Sequence, residues 1–419
     1  MKNLQKSDAI ARSFIIAWSC ALAFYFFEYV GRSAPAVMMP ELSKAFGVGP
    51  IVVSSILGAY YYTYSITSLI AGVLLDKVGP KYVVPGGMAV LGLGCVLFAI
   101  PQPQMGEFGR LLQGAGSAFA FTGAVYLASR GFSAGRLATA IGVTQCLGMI
   151  GGTFGQVVVG RLIHGPMTVP EFWTILGLAV LVVGVVLVIL TPTGHDVHPG
   201  AKQGLLSTYK VVFTNPQSYL CGAAAGLLFV PTTVGDMVWA VRFFQEDRMF
   251  AYPMAVFAAS MVPFGWVFGC PMLGWVSDKL GQRKPALFVG IVVMAVCLLQ
   301  LTYFPVVAPA WLSLFILGVA SGAAMIPYTI IQELNPVYVK GTATGVINFL
   351  TFSVTAFLGP VFAGLYGKTL GSTGSVPFTH YQHAGLFWLG IVALAFVVTL
   401  ALKESGPGRR RSVKAASFG

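Results

Sequence analysis

The chain has 419 residues, of which 56% are hydrophobic and only 9% charged. A water-soluble domain carries roughly 25% charged residues, so composition excludes a soluble globular protein of this length and leaves a lipid-embedded one. The formal net charge of +12 does not point to nucleic acid, because the basic residues sit in short loops between apolar runs rather than on one folded face, the positive-inside pattern of membrane proteins.

In chain order the apolar runs lie near 13–39, 51–75, 82–100, 105–129, 137–162 and 172–190, then near 217–243, 251–276, 285–304, 310–334, 341–366 and 384–402. Each is close to the span of about 20 residues that a membrane helix needs. None alternates with the period of two that a membrane barrel requires, and lipid leaves backbone polar groups no partner outside their own segment. The prediction is an all-α membrane protein of twelve transmembrane helices. Lys2, Lys6 and Arg12 precede the first run as in a signal peptide, but that run is too long for one and contains Glu28 and Arg32, so it reads as a retained helix. Lys77, Lys81, Arg130, Arg136, Lys279, Arg283, Lys284 and Lys340 fall on one side of the predicted membrane, with Lys403, Arg409, Arg410, Arg411 and Lys414 in the tail. Lys44, Arg248, Lys368 and Arg161 fall on the other, which puts both termini in the cytoplasm. The six cysteines all lie inside apolar runs without Cys-x-x-Cys spacing and read as small core residues, not disulfides or metal ligands.

Helix 1 carries Glu28 and Arg32, an i, i+4 pair on one face. Helix 2 carries Tyr60, Tyr61, Tyr62 and Tyr64 near its middle, where tyrosine can hydrogen-bond a ligand while stacking on it. Four such residues cannot share a face, so at most two reach a cavity; Tyr61 and Tyr64 are the candidates. The loop after helix 2 reads Gly72-x-x-x-Asp76-x-x-Gly79-x-Lys81. Its glycines suit close helix approach and a tight turn, and its aspartate suits pairing with a base or a helix N-terminus. Helix 4 holds Arg110-Leu-Leu-Gln113-Gly114-Ala-Gly116, and a cation in a membrane helix, costing about 2.5–3.5 kcal/mol on insertion scales, should face a cavity or a partner. Helix 5 contains Gln145 and a row of glycines, Gly148, Gly151, Gly152 and Gly155, which suits close packing.

The segment 191–216, rich in Gly, Pro and His, reads as a cytoplasmic linker between an N-terminal half (1–190) and a C-terminal half (217–404), with a basic tail at 405–419. Helix 7 places Asp236 in Pro231-Thr-Thr-Val-Gly-Asp-Met-Val-Trp239, with Arg242 beyond. The loop motif then recurs after helix 8 as Gly274-x-x-x-Asp278-x-x-Gly281-x-Arg283. Thr139-Ala-Ile-Gly-Val at the start of helix 5 echoes in Thr342-Ala-Thr-Gly-Val at the start of helix 11, at nearly the same offset. The two matches predict a pair of six-helix pseudo-repeats. Tyr328 and Gln332 on helix 10 and Asn348 on helix 11 are further polar candidates, and Glu333 at the end of helix 10 suits a gate or cap.

The duplicated Gly–Asp–Gly loop resembles the signature loop of the major facilitator superfamily, and with the twelve runs and central linker the resemblance covers essentially the whole chain. It implies that Gly72, Asp76, Gly79 and Lys81, with Gly274, Asp278, Gly281 and Arg283, form a gate that latches the halves rather than a substrate site. The Arg110 segment resembles an element of several proton-coupled members. Tyr29-Val30-Gly31-Arg32 is loosely similar to the helix-1 arginine element of the organic-anion symporters, which usually carry an acidic residue where this chain has Gly31.

No Gly-x-x-x-x-Gly-Lys-Ser/Thr loop, His-Glu-x-x-His motif or soluble catalytic domain is present, so neither an ATP-driven pump nor an enzyme is expected, and no cofactor or metal. The expected function is secondary active transport by alternating access: proton-coupled uptake of a small organic anion in a bacterial inner membrane, by a functional monomer. Arg32, Arg110, Tyr61, Tyr64, Gln145, Trp239, Tyr328 and Asn348 are the substrate candidates. Glu28 and Asp236 are the proton-coupling candidates, since coupling needs a carboxylate that is desolvated in one state and paired in another. Carriers of amino acids, short peptides or metal chelates, a drug or metabolite exporter, and a transporter-like nutrient receptor are the alternatives.

Overall fold

The computed structural model describes residues 2–163, 165–191, 205–246, 248–370 and 377–408. All of the regular structure among them is helical: α1 (Lys2–Ser33), α2 (Met39–Phe46), α3 (Pro50–Val78), α4 (Pro80–Phe98), α5 (Pro103–Gly131), α6 (Leu137–Ile163), α7 (Val169–Leu190), α8 (Leu205–Phe213), α9 (Pro216–Val230), α10 (Val241–Glu246), α11 (Tyr252–Leu280), α12 (Lys284–Tyr303), α13 (Ala310–Ser321), α14 (Ile326–Leu334), α15 (Lys340–Leu370) and α16 (Pro377–Ala401). Short 3-10 turns at Ala34–Val37, Gly322–Met325 and Val337–Val339 join some of them. A π-helical stretch, Pro231–Ala240, joins α9 to α10.

The starts follow simple chemistry. Proline stands in the first turn of α3, α4, α5 and α9, where its missing N–H is no loss. Thr168 and Glu171 form a reciprocal capping box at the head of α7. Among the described residues, ten helices are long and apolar enough to cross a membrane. The predicted runs near 51–75 and 384–402 also form helices, α3 and α16, the latter apolar over Gly385–Ala401. On α7, Val182, Val185 and Ile189 are 63%, 63% and 74% exposed, an outward stripe at helical spacing that a soluble fold would bury and lipid accepts.

The chain forms two compact units. Unit 1 comprises residues 1–133, 147–214 and 335–349, and unit 2 comprises 134–146, 215–334 and 350–419. The first turns of α6 and of α15 therefore cluster with elements of the opposite sequence half. In unit 1, α5 packs against α1, α3 and α4, and α4 also packs against α7. The glycine row of α6 lies on α1, as its spacing predicts: a Cβ on Gly151 would meet the Phe26 carbonyl oxygen at 2.3 Å. In unit 2, α11 packs on α13, and α12 on α13 and α16. Lipid gives no hydrophobic drive for helices to associate, so small residues that admit close approach carry the packing. The predicted linker contains a helix, α8, whose side of unit 1 is α3. Residues 192–204 of the linker and 409–419 of the tail lie outside the described residues.

One close helix approach gives a direct test. A Cβ on Gly116 of α5 would stand 2.4 Å from the Leu91 backbone nitrogen and 2.5 Å from the Gly87 carbonyl oxygen of α4. Backbone cannot step aside, so Gly116→Ala is expected to destabilise by about 1–3 kcal/mol. Gly86, with no atom within 4 Å of such a Cβ, is the control. Thermal melts of purified protein should show a lowered midpoint for Gly116→Ala and none for Gly86→Ala.

Candidate functional site

The charged residues of helix 1 meet those of helix 4 inside unit 1. Glu28 and Arg32 lie one turn apart on α1, with Arg32 Nε 3.5 Å from Glu28 Oε1. The Tyr60 hydroxyl donates a short hydrogen bond to the same oxygen. The Arg32 guanidinium carbon lies 4.5 Å from the Tyr64 ring centroid, 5.1 Å from Tyr29, 5.3 Å from Tyr60 and 5.7 Å from Tyr61. Four tyrosine faces thus surround one cation, a cation–π arrangement that strengthens as water is excluded. Arg110 shares one of these rings, its guanidinium carbon 4.8 Å from the Tyr60 centroid. Arg110 Nη1 also donates to the Gly31 carbonyl (3.2 Å) and to Gln113 Oε1 (2.6 Å), and Gln113 Nε2 donates to the Gly94 carbonyl at 3.2 Å.

Glu28, Arg110, Tyr60, Tyr64 and Gln113 are all buried. Glu28 Oε2 and Arg110 Nε have no hydrogen-bond partner among the described residues, leaving one acceptor and one donor open beside Tyr60. Asn348 joins the cluster, donating from Nδ2 to the Tyr64 hydroxyl (3.2 Å) and to Ser68 Oγ (3.1 Å). Of the candidates on helix 2, Tyr64 is buried on this face while Tyr61 is half exposed at 49%. Tyr60 and Gln113 are central here and were not among the candidate substrate residues. The clue for Tyr60 was its i, i+4 spacing from Tyr64, which stacks the two rings at 5.7 Å.

Unit 2 holds the other carboxylate. Asp236 lies in the π-helical stretch, a widened geometry frequent at functional sites, and is 8% exposed. It lines a pocket with Phe243 and Phe244 of α10, Thr302 of α12 and Trp388 of α16. Gln145 and Tyr328 are buried in the same unit, and the Tyr328 hydroxyl donates to Thr351 Oγ1 at 3.3 Å. The side chains of Trp239 and Arg242 lie outside the described ones.

The duplicated loops form two matching caps. In unit 1, Asp76 near the end of α3 accepts from the backbone N–H of Gly341 (2.8 Å) and of Thr342 (2.6 Å) and from Thr342 Oγ1 (2.7 Å). In unit 2, Asp278 near the end of α11 accepts from the N–H of Ala138 (3.4 Å) and of Thr139 (2.8 Å) and from Thr139 Oγ1 (2.7 Å). Each carboxylate satisfies the free N–H groups at a helix N-terminus, α15 or α6, where the helix dipole also favours negative charge. Gly72 and Gly274 allow the approach: a Cβ would stand 2.4 Å from the Gly341 carbonyl oxygen in one and 2.5 Å from that of Ala138 in the other. Gly79 (φ 87°) and Gly281 (φ 63°) make the turns that follow.

The two copies differ at the basic position. Lys81 is only half-buried in the first turn of α4. Arg283 is fully buried, donating to Asp278 Oδ1 (2.6 Å), Glu333 Oε1 (2.6 Å), Ser277 Oγ (3.1 Å) and the Ala134 carbonyl (2.8 Å). The segment after α16 folds onto this network. Ser405 Oγ donates to Glu333 Oε2 at 2.7 Å, and Glu404 accepts from the Arg283 and Lys284 N–H groups at 2.7 and 2.9 Å. Burial raises the Glu404 carboxyl, but the backbone N–H groups of Arg283, Lys284, Gly406 and Ser405 outweigh that and hold it below the ordinary glutamate range.

Comparison with known proteins matches the family model described as Major Facilitator Superfamily to residues 21–360. A probable hexose phosphate transport protein of Chlamydia pneumoniae is 25% identical over 392 residues, covering 81% of this chain and 81% of that protein. The inner membrane transport protein YajR of Escherichia coli (strain K12) is 25% identical over 377 residues, covering 86% of this chain and 77% of its own. Among solved structures, the transporter FucP in its outward conformation superposes with a TM-score of 0.72 at 15% identity, over 93% of this chain and 99% of that one. The proton:xylose symporter XylE bound to 6-bromo-6-deoxy-D-glucose does so with a TM-score of 0.69 at 14% identity, over 95% and 97%. At such identities these two speak for the fold alone.

The caps predict a local effect. Asp76→Ala removes the acceptors of the Gly341 and Thr342 N–H groups, and loss of a helix cap costs about 0.5–2 kcal/mol. Hydrogen exchange should accelerate roughly 2- to 30-fold in the first turn of α15 in Asp76→Ala and in the first turn of α6 in Asp278→Ala. Unchanged exchange in either would mean that the carboxylate does not hold that helix start.

Proposed function

The chain belongs to the major facilitator superfamily, as a multi-pass membrane transporter and not an enzyme, and from that premise we propose that it imports a small organic anion coupled to protons by alternating access. The observation that carries this reading is the pair of buried guanidiniums, Arg32 and Arg110, sharing the Tyr60 ring, with Arg110 Nε unpartnered among the described residues. Charges held in membrane helices mark ligand and ion paths. Arginine presents a planar fork of donors matched to carboxylate and phosphate. The Chlamydia relatives named as probable hexose phosphate transport proteins make a sugar phosphate the first anion to test.

The remaining features fit this scheme. The twelve apolar runs are twelve spans in two halves, 1–190 and 217–404, with both termini in the cytoplasm of a bacterial cell whose inner membrane supplies the proton gradient. Arg32, Arg110, Tyr61, Tyr64 and Asn348 contribute to the anion site with Tyr60 in unit 1, while Gln145, Trp239 and Tyr328 are the substrate candidates of unit 2. The Asp76 and Asp278 caps bias the conformational equilibrium without touching ligand. Glu28 couples the proton: an anion that engages the Arg32 guanidinium competes with Glu28 for it, and the carboxylate so released takes up a proton. Asp236 is the alternative carrier.

Binding tests the anion site. Arg32→Lys keeps the charge but loses the fork, and Arg32→Gln removes both. Removing one member of a buried charge pair costs about 2–5 kcal/mol, so glucose 6-phosphate affinity should fall at least 30-fold in Arg32→Gln and by less in Arg32→Lys. Equal affinity in Arg32→Gln and the unaltered protein would remove the anion reading.

Coupling is tested separately in proteoliposomes with an imposed pH gradient. Glu28→Gln protein is expected to lose uphill, gradient-driven uptake while still exchanging labelled for unlabelled substrate across the membrane. Concentrative uptake equal to the unaltered protein's would exclude Glu28 as the carrier, and the same pair of assays on Asp236→Asn decides for or against the alternative.

A further inference from the structure

Asp236 stands apart from the other buried acids of the site and the caps. Glu28 has Arg32 and Tyr60, and Asp76 and Asp278 have helix N-termini. Asp236 is buried, and among the described residues no hydrogen bond reaches its Oδ1. A buried acid without a partner has no structural merit, because an apolar side chain of similar volume would be more stable there. Its surroundings are equally specific. The pocket it lines is a small, partly open cavity of about 70 Å³. Its walls are Phe243, Phe244 and Trp388 and the leucines of α12 and α13. The hydroxyl among the described lining residues, on Thr302, donates its proton to the Leu298 carbonyl at 2.6 Å.

We propose that this pocket is a second binding site, for an organic monocation with an apolar body, with Asp236 as the counter-ion and Trp388 and the two phenylalanines as its aromatic walls. One carboxylate among aromatic faces is the chemistry that selects an ammonium group, by charge pairing on one side and cation–π contact on the others. A metal ion does not fit. Hard cations take six or more oxygens or nearly so, and no cluster of three or more His, Cys, Asp or Glu capable of holding a metal occurs among the described residues. An anion is excluded by the sign of the charge.

The site is separate from the guanidinium cluster: its lining belongs wholly to unit 2, whereas Arg32, Arg110 and the tyrosines belong to unit 1. It also lies far from the Arg283 network. Thr302 is 18 residues beyond Lys284 on the same helix, roughly 27 Å at 1.5 Å per residue. The proposal therefore stands whether or not the anion reading does.

The probe is tritiated benzyltrimethylammonium, a quaternary cation that cannot lose a proton, with neopentylbenzene as its uncharged isostere. Purified protein in lipid nanodiscs should bind the cation saturably, and the isostere should compete at least about tenfold less well. Asp236→Asn should weaken binding about tenfold or more, and Trp388→Leu about fivefold, in line with a desolvated ion pair and a lost cation–π wall. Arg32→Gln should leave cation binding unchanged. Absence of saturable binding, equal binding by Asp236→Asn, or equal competition by the isostere would overturn the proposal. If Asp236→Asn does not fold, unchanged binding by Trp388→Leu overturns it by itself. Parallel loss in Arg32→Gln would instead assign the cation to the guanidinium cluster and overturn it equally.

Discussion

Charge removed from water is the constraint on which the rest of this molecule depends. Neither lipid nor packed helices solvate an ion, so an inward charge must be matched or else kept for a purpose. Arg283 shows the matched case: with no exposed surface, it finds two carboxylates, a hydroxyl and a carbonyl. Arg110 is only partly matched by protein oxygens among the described residues, and tyrosine rings surround both it and Arg32. A ring face attracts a cation without consuming the donors on its edge, so it steadies a guanidinium while leaving hydrogen-bonding capacity for a visitor.

The same constraint explains the loop spacing. Gly72, Asp76 and Gly79, like Gly274, Asp278 and Gly281, stand one turn and then two turns along a helix end. The first residue must be bare for a neighbouring helix start to approach, the second then faces that start and caps it, and the third takes positive φ to end the helix. Unit 2 adds to this plan. Arg283 ties Asp278 to Glu333, and Glu404 and Ser405 tie the segment after α16 into the same knot. Unit 1 has Lys81 in place of that arginine, so one cap rests on three hydrogen bonds from a helix start and the other on a wider polar network.

Much of this was legible in the sequence, and the limits of legibility are physical. Apolar runs mark helices because lipid demands them, and both copies of the loop and both threonine echoes stand out by their spacing. That each aspartate caps the echo in the opposite sequence half is not visible in one dimension, since spacing records periodicity and not partnership. Arg110 was recognisable as costly, but its burial against Tyr60 depends on how α5 crosses α3. Tyr61 and Tyr60 are neighbours in sequence, and the choice between them turns on a helix rotation that only packing fixes. The π-helical stretch left no more trace than Pro231 and Gly235, and α8 lay hidden in a segment whose composition reads as a linker.

The duplication is faithful at the caps and absent at the cavities. A carboxylate cap needs only a helix N-terminus, and every helix start offers the same N–H groups, so one motif serves both units. Ligand chemistry has no such backbone template; it depends on side chains, which the two units choose with opposite sign. Unit 1 gathers two guanidiniums and an acid already engaged by one of them. Unit 2 gathers an acid with no hydrogen bond at Oδ1 among the described residues and three aromatic residues. In unit 1 an entering anion meets a competitor for Arg32, so binding there is an exchange of partners and can be linked to the fate of Glu28. In unit 2 an entering cation meets no competing basic partner among the described residues and displaces only the acid's proton, so its binding supplies the counter-ion that lets the buried carboxyl ionise. Coupling by competition belongs to the first arrangement, and stabilisation by occupancy belongs to the second.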